Sequence, residues 1–274
     1  MTNLLHNKKV VTGGVIILIF SLFAVLAPYI TRYQIWAQDY TAVFAPMSPE
    51  HFFGTDNFGR DIFTRVIYGS RASLLSALGA AGLAGVIGIT LGLLGGYFGG
   101  TVDRITQGLT DAFWAFPSLL MALVLIVMLQ PGLFTTMVAI ALGYWPRYTQ
   151  VLRDEVLSVR EQEYIAAARS IGSGDVRILR SHILPNVIGP VIVLITITMG
   201  NAIIVEATLS FLGLGVQPPT PSWGVMLSNA REFMTRAPWF SVFPGVAIAL
   251  TVLGFNLLGD GLRDVLDPHL TRQQ

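Results

Sequence analysis

EQEYIAAARSIGSGDVRILRSHILPN, residues Glu161 to Asn186, is a polar island between long apolar runs, and its internal pattern organises the reading of the whole chain. Tyr164, Ile165, Ala168 and Ile171 recur at three- to four-residue spacing, which predicts an amphipathic helix from Glu161 to Ile171. Gly172-Ser173-Gly174 ends that helix. Asp175 is placed to cap a second helix by accepting from the free amides near Arg177 and Ile178, and Pro185 leads into the next apolar run. Helix, break, helix beside apolar spans has two readings. The segment lies in the lipid interface with its arginines near anionic headgroups. Alternatively it is a knob that fits a groove on a partner protein, and the small Ala166, Ala167 and Ala168 suit close insertion.

The chain around this island is built for lipid. Of 274 residues, 53% are hydrophobic and 12% are charged, about half the usual charged share of roughly a quarter. Mean hydropathy is +0.64. A water-soluble domain of this length lacks the charge to cover its surface, so the fold class is an all-α integral membrane protein with lipid as its solvent. A net charge of +1 argues against a nucleic-acid partner. The absence of cysteine excludes disulfides and thiolate metal sites, and His6, His51, His182 and His269 form no ligand pair at helical spacing.

Crossing a hydrocarbon layer of ~30 Å takes roughly twenty apolar residues in a helix. Six segments meet this: 10–30, 73–97, 105–129, 133–152, 187–208 and 241–260. The first follows Lys8 and Lys9 and is longer than a signal-peptide core, so it reads as a retained span. Trp145-Pro146-Arg147 interrupts the fourth, and Pro146 is expected to kink it. With the N-terminus cytoplasmic, eleven Lys and Arg fall inside and six outside, which favours both termini inside. The chain then divides into an N-terminal span with an extracytoplasmic loop (1–72), a core of five spans carrying a cytoplasmic loop at 153–186 (73–268), and a tail (269–274).

Other positions carry possible chemistry. Ala80, Ala84, Gly88, Gly92, Gly96 and Gly100 recur every four residues, so backbones can approach closely there, either as fixed packing or as a sliding surface. Asp111 and Glu206 are acids inside spans. Such groups face a cavity or a partner: Glu206 could meet the amino group of a ligand or snorkel to the nearby surface. Asp56, Arg60, Asp61 and Arg65 alternate in charge within the first outer loop, as a salt-bridged cap or as a contact for a partner protein. Pro218, Pro219 and Pro221 stiffen the last outer loop, where Trp223 suits the membrane interface. Asp260, Arg263, Asp264 and Asp267 read as a solvated terminal turn or a partner contact.

The island resembles the cytoplasmic EAA loop of bacterial ABC importer permeases. Ala167 and Ala168 match its alanines, Gly172 its glycine and Leu184-Pro185 its ending, at matching spacing; Ala166 stands at the motif glutamate, and Glu163 is the substitute acid. FGTDNFGRDIFTRVIYGSRASL (Phe53–Leu74), SFLGLGVQPPTPSWGVML (Ser210–Leu227) and FPGVAIALTVLGFNLLGDGLRDVLDP (Phe243–Pro268) are similar to blocks of the peptide/nickel permeases, in order, as in the C-type subunit of a permease heterodimer. The resemblance implies a type I permease fold in the bacterial inner membrane and a loop that docks on an ATPase. It implies as partners a second homologous permease, two ABC ATPases that bind ATP and Mg, an extracytoplasmic substrate-binding protein and membrane lipid. It makes dipeptides or oligopeptides the leading cargo, with glutathione, nickel complexes or opines as alternatives. Lys8 and Lys9, the only lysines, follow no glycine-rich turn, so the chain lacks the usual P-loop and no cofactor is expected in it. A stand-alone carrier or channel would have only Asp111 and Glu206 for a proton relay. A membrane enzyme would need a nucleophile–base set that the sequence does not offer.

Overall fold

The computed structural model describes residues 6–266, and among these it is helical apart from loops and an isolated bridge between Thr55 and Asp61. Helix α1 (Lys8–Ile30) is capped by the Asn7 side chain, which accepts from the Lys9 amide at 2.9 Å. Pro28 lies inside α1 and brings no N–H to the Ala24 carbonyl. The Arg71 guanidinium fills the gap, with Nε donating to Ala24 O and Nη2 to Val25 O.

Helix α2 (Ile62–Phe98) starts eleven residues before the expected 73, because Asp61 caps it by accepting from the Thr64 amide at 2.8 Å. Helix α3 (Gly100–Trp114) and helix α4 (Ser118–Leu129) replace the single span expected at 105–129 and meet at 85°. Pro117 at the junction supplies no N–H and disfavours helix at Phe116, so the chain turns there. Helix α5 (Leu133–Arg160) runs unbroken through Pro146 and continues past the expected end at 152. The expected loop 153–186 is therefore mostly helix.

Helix α6 (Glu163–Ser170) follows at once, and helix α7 (Asp175–Ile178) passes through a π turn (Leu179–Ile183) into helix α8 (Leu184–Phe211). Helix α9 (Trp223–Ala230) and a short 3-10 turn precede helix α10 (Trp239–Leu266). By length and composition α1, α2, the continuous Asp175–Phe211 helix and α10 can each cross a membrane, and the bent α3–α4 pair makes a fifth. Helix α5 is long enough, but from Tyr144 onward it carries Pro146, Arg147, Gln150 and Arg153.

Packing explains the small-residue stripe. A methyl group placed on Gly92 would lie 2.8 Å from the Thr149 carbonyl oxygen and 3.0 Å from Leu152 Cβ. One on Gly96 would lie 2.9 Å from Val156 Cβ and 3.0 Å from the Arg153 carbonyl oxygen. The stripe thus seats α2 on α5 within this chain, as small residues let apolar helices do. Gly100 departs from it, as the first residue of α3 with open space around it.

The bundle has two distinct ends. At one, the cap, residues 31–61 fold over the start of α2 and α10: Phe53 stacks on Phe243, and Trp239 Nε1 donates to Thr55 O at 3.3 Å. At the other, α6 and α7 form an elbow. The start of α1 and the end of α10 meet at that same end, where Lys9 Nζ pairs with Asp264 at 2.9 Å. Asp267, Pro268 and the tail 269–274, with His269 and Arg272, lie outside the described residues.

Candidate functional site

The elbow is shaped by its glycine. Gly172 adopts φ +82, the left-handed conformation that favours glycine. Its amide donates to Arg169 O at 2.9 Å and the Ser173 amide donates to Ala168 O at 3.0 Å, the paired bonds of a Schellman helix end. The turn lets one face of α6–α7 stay on the bundle and leaves the other free. Ile165, Ala168, Ile178 and Ile183 are buried in a cluster with Tyr97, Leu152, Val156, Val187 and Val191. Glu163, Tyr164, Ala166, Ala167, Ile171 and Val176 are exposed. Ile171 and Val176 are 83% and 78% exposed, an apolar tip that none of the described residues covers. Of the motif residues, Ala168 is therefore an inward anchor, Ala167 faces out, Leu184 is half-buried and Pro185 is exposed at the start of α8.

Asp175 does not cap as expected. Gly174 holds the cap position, and Asp175 Oδ1 instead accepts from Tyr97 Oη at 2.6 Å. Arg169 lies over the Tyr97 ring, 5.4 Å from its centroid. Arg160 Nη1 donates to the carbonyl oxygens of Tyr97 (2.8 Å) and Gly96 (3.2 Å), and Arg153 Nη2 donates to Asp103 Oδ2 at 2.7 Å. Sequence spacing does not reveal Tyr97, Asp103, Arg153 and Arg160 as a group. Their partners are 50 to 78 residues away, and no local period reports that separation.

The two acids expected inside spans have opposite settings. Asp111 is exposed on α3, on the outside of this single chain. Glu206 is fully buried and does not snorkel to the surface. Ser210 Oγ donates to its Oε1 at 2.7 Å and Ser73 Oγ to its Oε2 at 3.2 Å. Ser210 Oγ also accepts from the Val216 amide, and Ser73 Oγ from the Trp223 amide, so the carboxyl ties α2, α8 and the start of α9 together. The carboxyl is sealed inside the bundle, so in this conformation a ligand amine has no open path to it.

Trp223, expected to suit the membrane interface, does not face lipid or water. It is fully buried, edge-on to Phe20 at 5.5 Å, with Nε1 donating to Val66 O at 3.0 Å. The indole N–H finds a partner inside the bundle because α2 passes within reach, which the Pro-rich surroundings did not suggest. In the cap, Asp56 accepts from Arg60 Nε at 2.6 Å and lies 3.8 Å from Arg65, while Asp61 pairs with His51 at 3.0 Å. Asp56 and Asp61 are buried and Arg60 is half-buried, so these carboxylates are committed to holding the cap.

A helical bundle with apolar spans, one of them sharply broken, and a free amphipathic elbow at one end defines a membrane-embedded permease subunit. The chain belongs to the family described as binding-protein-dependent transport system inner membrane component, which matches residues 88–272, and residues 1–49 match the N-terminal TM domain of oligopeptide transport permease C. It is an inner-membrane protein. It is 45% identical over 264 residues to the dipeptide transport system permease protein DppC of Alkalihalophilus pseudofirmus, covering 96% of this chain and 87% of that one. Identity is 41% over 266 residues to the oligopeptide transport system permease protein OppC of Bacillus subtilis, covering 97% and 87%. It is also 41% over 267 residues to the glutathione transport system permease protein GsiD of Pectobacterium atrosepticum, covering 97% and 89%. Among solved structures, an inward-facing conformation of the MetNI methionine ABC transporter matches with a TM-score of 0.62 at 17% identity, covering 81% of this chain and all of that one. That likeness concerns the fold.

Proposed function

We propose that this chain is one of two permease subunits of an ATP-driven importer for dipeptides or oligopeptides. In this reading the chain crosses the inner membrane six times, α5 completing the count inside the assembly, and its termini share the cytoplasm with the elbow. A second permease completes the path, two ABC ATPases, which themselves bind ATP and Mg, dock on the elbows of the two permeases, and a binding protein delivers cargo to the cap. The chain itself catalyses no reaction. ATP binding closes the ATPases, the elbow carries that movement into the helices, and access alternates because nucleotide binds the two states unequally.

The observation that carries the reading is the elbow: one face is locked into the bundle by Ile165, Ala168 and Ile178 while Ala167, Ile171 and Val176 stand out. An apolar tip on a rigid base suits a groove on a partner. The near-full-length likeness to dipeptide and oligopeptide permeases supports peptide cargo. The 41% identity to a glutathione permease, matching that to the oligopeptide permease, supports a second reading within the same chemistry, since glutathione is itself a tripeptide. The test is Ala167→Arg in the assembled transporter. The expected result is loss of ATPase co-purification and of uptake with the permease pair intact; unchanged association and uptake would refute the docking role.

A further inference from the structure

We propose that Tyr97 is the positioning residue through which movement of the elbow reaches α2 and the α2–α3 junction. The inference rests on the docking reading above and adds to it the point of entry into the bundle.

Tyr97 is the last residue but one of α2 and is 4% exposed. It touches every piece of the elbow. Its hydroxyl donates to Asp175 at the start of α7, a bond strengthened by the carboxylate charge. Its ring carries the Arg169 guanidinium of α6. Its carbonyl accepts from Arg160 at the end of α5. The same ring packs in the cluster that holds Ile165, Ala168 and Ile178.

The backbone just beyond Tyr97 matters as much. Gly99 and Gly100 adopt φ +65 and +55, and the chain reverses there into α3. The start of α3 is held to α5 by the Asp103–Arg153 pair. A pull on Tyr97 is therefore applied at the junction between a long, rigid α2 and the bent α3–α4 pair. The elbow has a second connection, since α7 runs directly into α8. Covalent continuity makes α8 follow the elbow in any event. Helix α5 also runs into α6 and is seated on α2, and the Tyr97–Asp175 bond adds the direct link that keeps the α2–α3 junction in step with α7. When that bond is cut, the elbow still docks and α8 still moves, but the two halves of the bundle move out of step and nucleotide is hydrolysed without cargo.

The experiment uses the complete transporter in proteoliposomes, with both permeases, the ATPases and the binding protein, and reads uptake per ATP hydrolysed. Tyr97→Phe keeps the ring and removes the hydroxyl; Asp175→Asn, at an exposed residue, removes the charge without touching the core. Each is expected to lower the ratio by roughly tenfold or more, the scale of one charge-assisted hydrogen bond. The double variant is expected to be no worse than either single one, and ATPase co-purification is expected to stay at the parental level. Parental coupling in both single variants would overturn the proposal. So would loss of ATPase co-purification in Tyr97→Phe, because the residue would then shape the docking tip rather than relay its movement. Ala167→Arg reports on docking alone, so a failure there is distinguishable from a failure here.

Discussion

Gly172 shows how one residue sets the shape of the elbow. At φ +82 an L-side chain meets its own carbonyl, a cost of roughly 1–2 kcal/mol. Nothing else crowds the position, since a methyl group there would have no neighbour within 4 Å. Gly172→Ala is thus a backbone perturbation only. It is expected to loosen the end of α6 by roughly 1 kcal/mol. Hydrogen exchange should show the amides of Gly172 and Ser173 losing protection while those of α2 and α5 keep theirs; equal protection in both proteins would refute the strain argument. Gly172 was legible in the sequence because a helix end that needs glycine is a local requirement. Asp175 was misplaced because the capping rule is equally local, and a buried tyrosine 78 residues away outcompeted it. Glu206 lay between these cases: its position in a span marked it as unusual, but only the fold brings Ser73 and Ser210 to its two oxygens.

At the scale of elements, the α2–α5 contact is where sequence spacing translated into packing. The four-residue repeat of small side chains implied a face with no bulk, and α5 fills it. The prediction separates glycines by what surrounds them. Gly92→Ala forces a methyl group against the Thr149 carbonyl and Leu152 and is expected to destabilise by about 1–3 kcal/mol. Gly82→Ala, in the same helix with open space around it, is expected to be neutral or to stabilise by up to ~1 kcal/mol through helix propensity. Thermal unfolding of the two variants in detergent should move in opposite directions or differ clearly; matched midpoints would count against tight seating on α5. The break between α3 and α4 was harder to read. Composition changes there, since α3 carries Asp103, Arg104, Gln107 and Asp111 whereas α4 is apolar throughout, and the expected span 105–129 ran across that change. Pro117 was visible, yet a proline inside a span can also be absorbed without a turn, as Pro146 is in α5.

For the whole molecule the question is which end faces which side. Charge counting placed both termini inside, and the structure brings the start of α1, the end of α10 and the elbow to one end. Besides the Lys9–Asp264 pair, Asn7 Nδ2 donates to Gly261 O at 3.4 Å, and Leu266 lies beside Gly189 near the start of α8. Residues 31–61 cap the opposite end, so the bundle has one orientation to determine, not several. The absence of native cysteine makes it directly measurable. Lys8, Gln38 and Glu161 are all exposed, the first and last at the elbow end and Gln38 in the cap. In intact cells stripped of their outer barrier, a membrane-impermeant maleimide is expected to label Gln38→Cys and to spare Lys8→Cys and Glu161→Cys until the membrane is opened. The reverse pattern would put the elbow outside, out of reach of any cytoplasmic ATPase. Labelling of Lys8→Cys and Glu161→Cys on opposite sides would break the pairing of α1 with α10 and the bundle with it. The first pattern alone leaves the exposed apolar tip of Ile171 and Val176 facing the compartment that holds ATP.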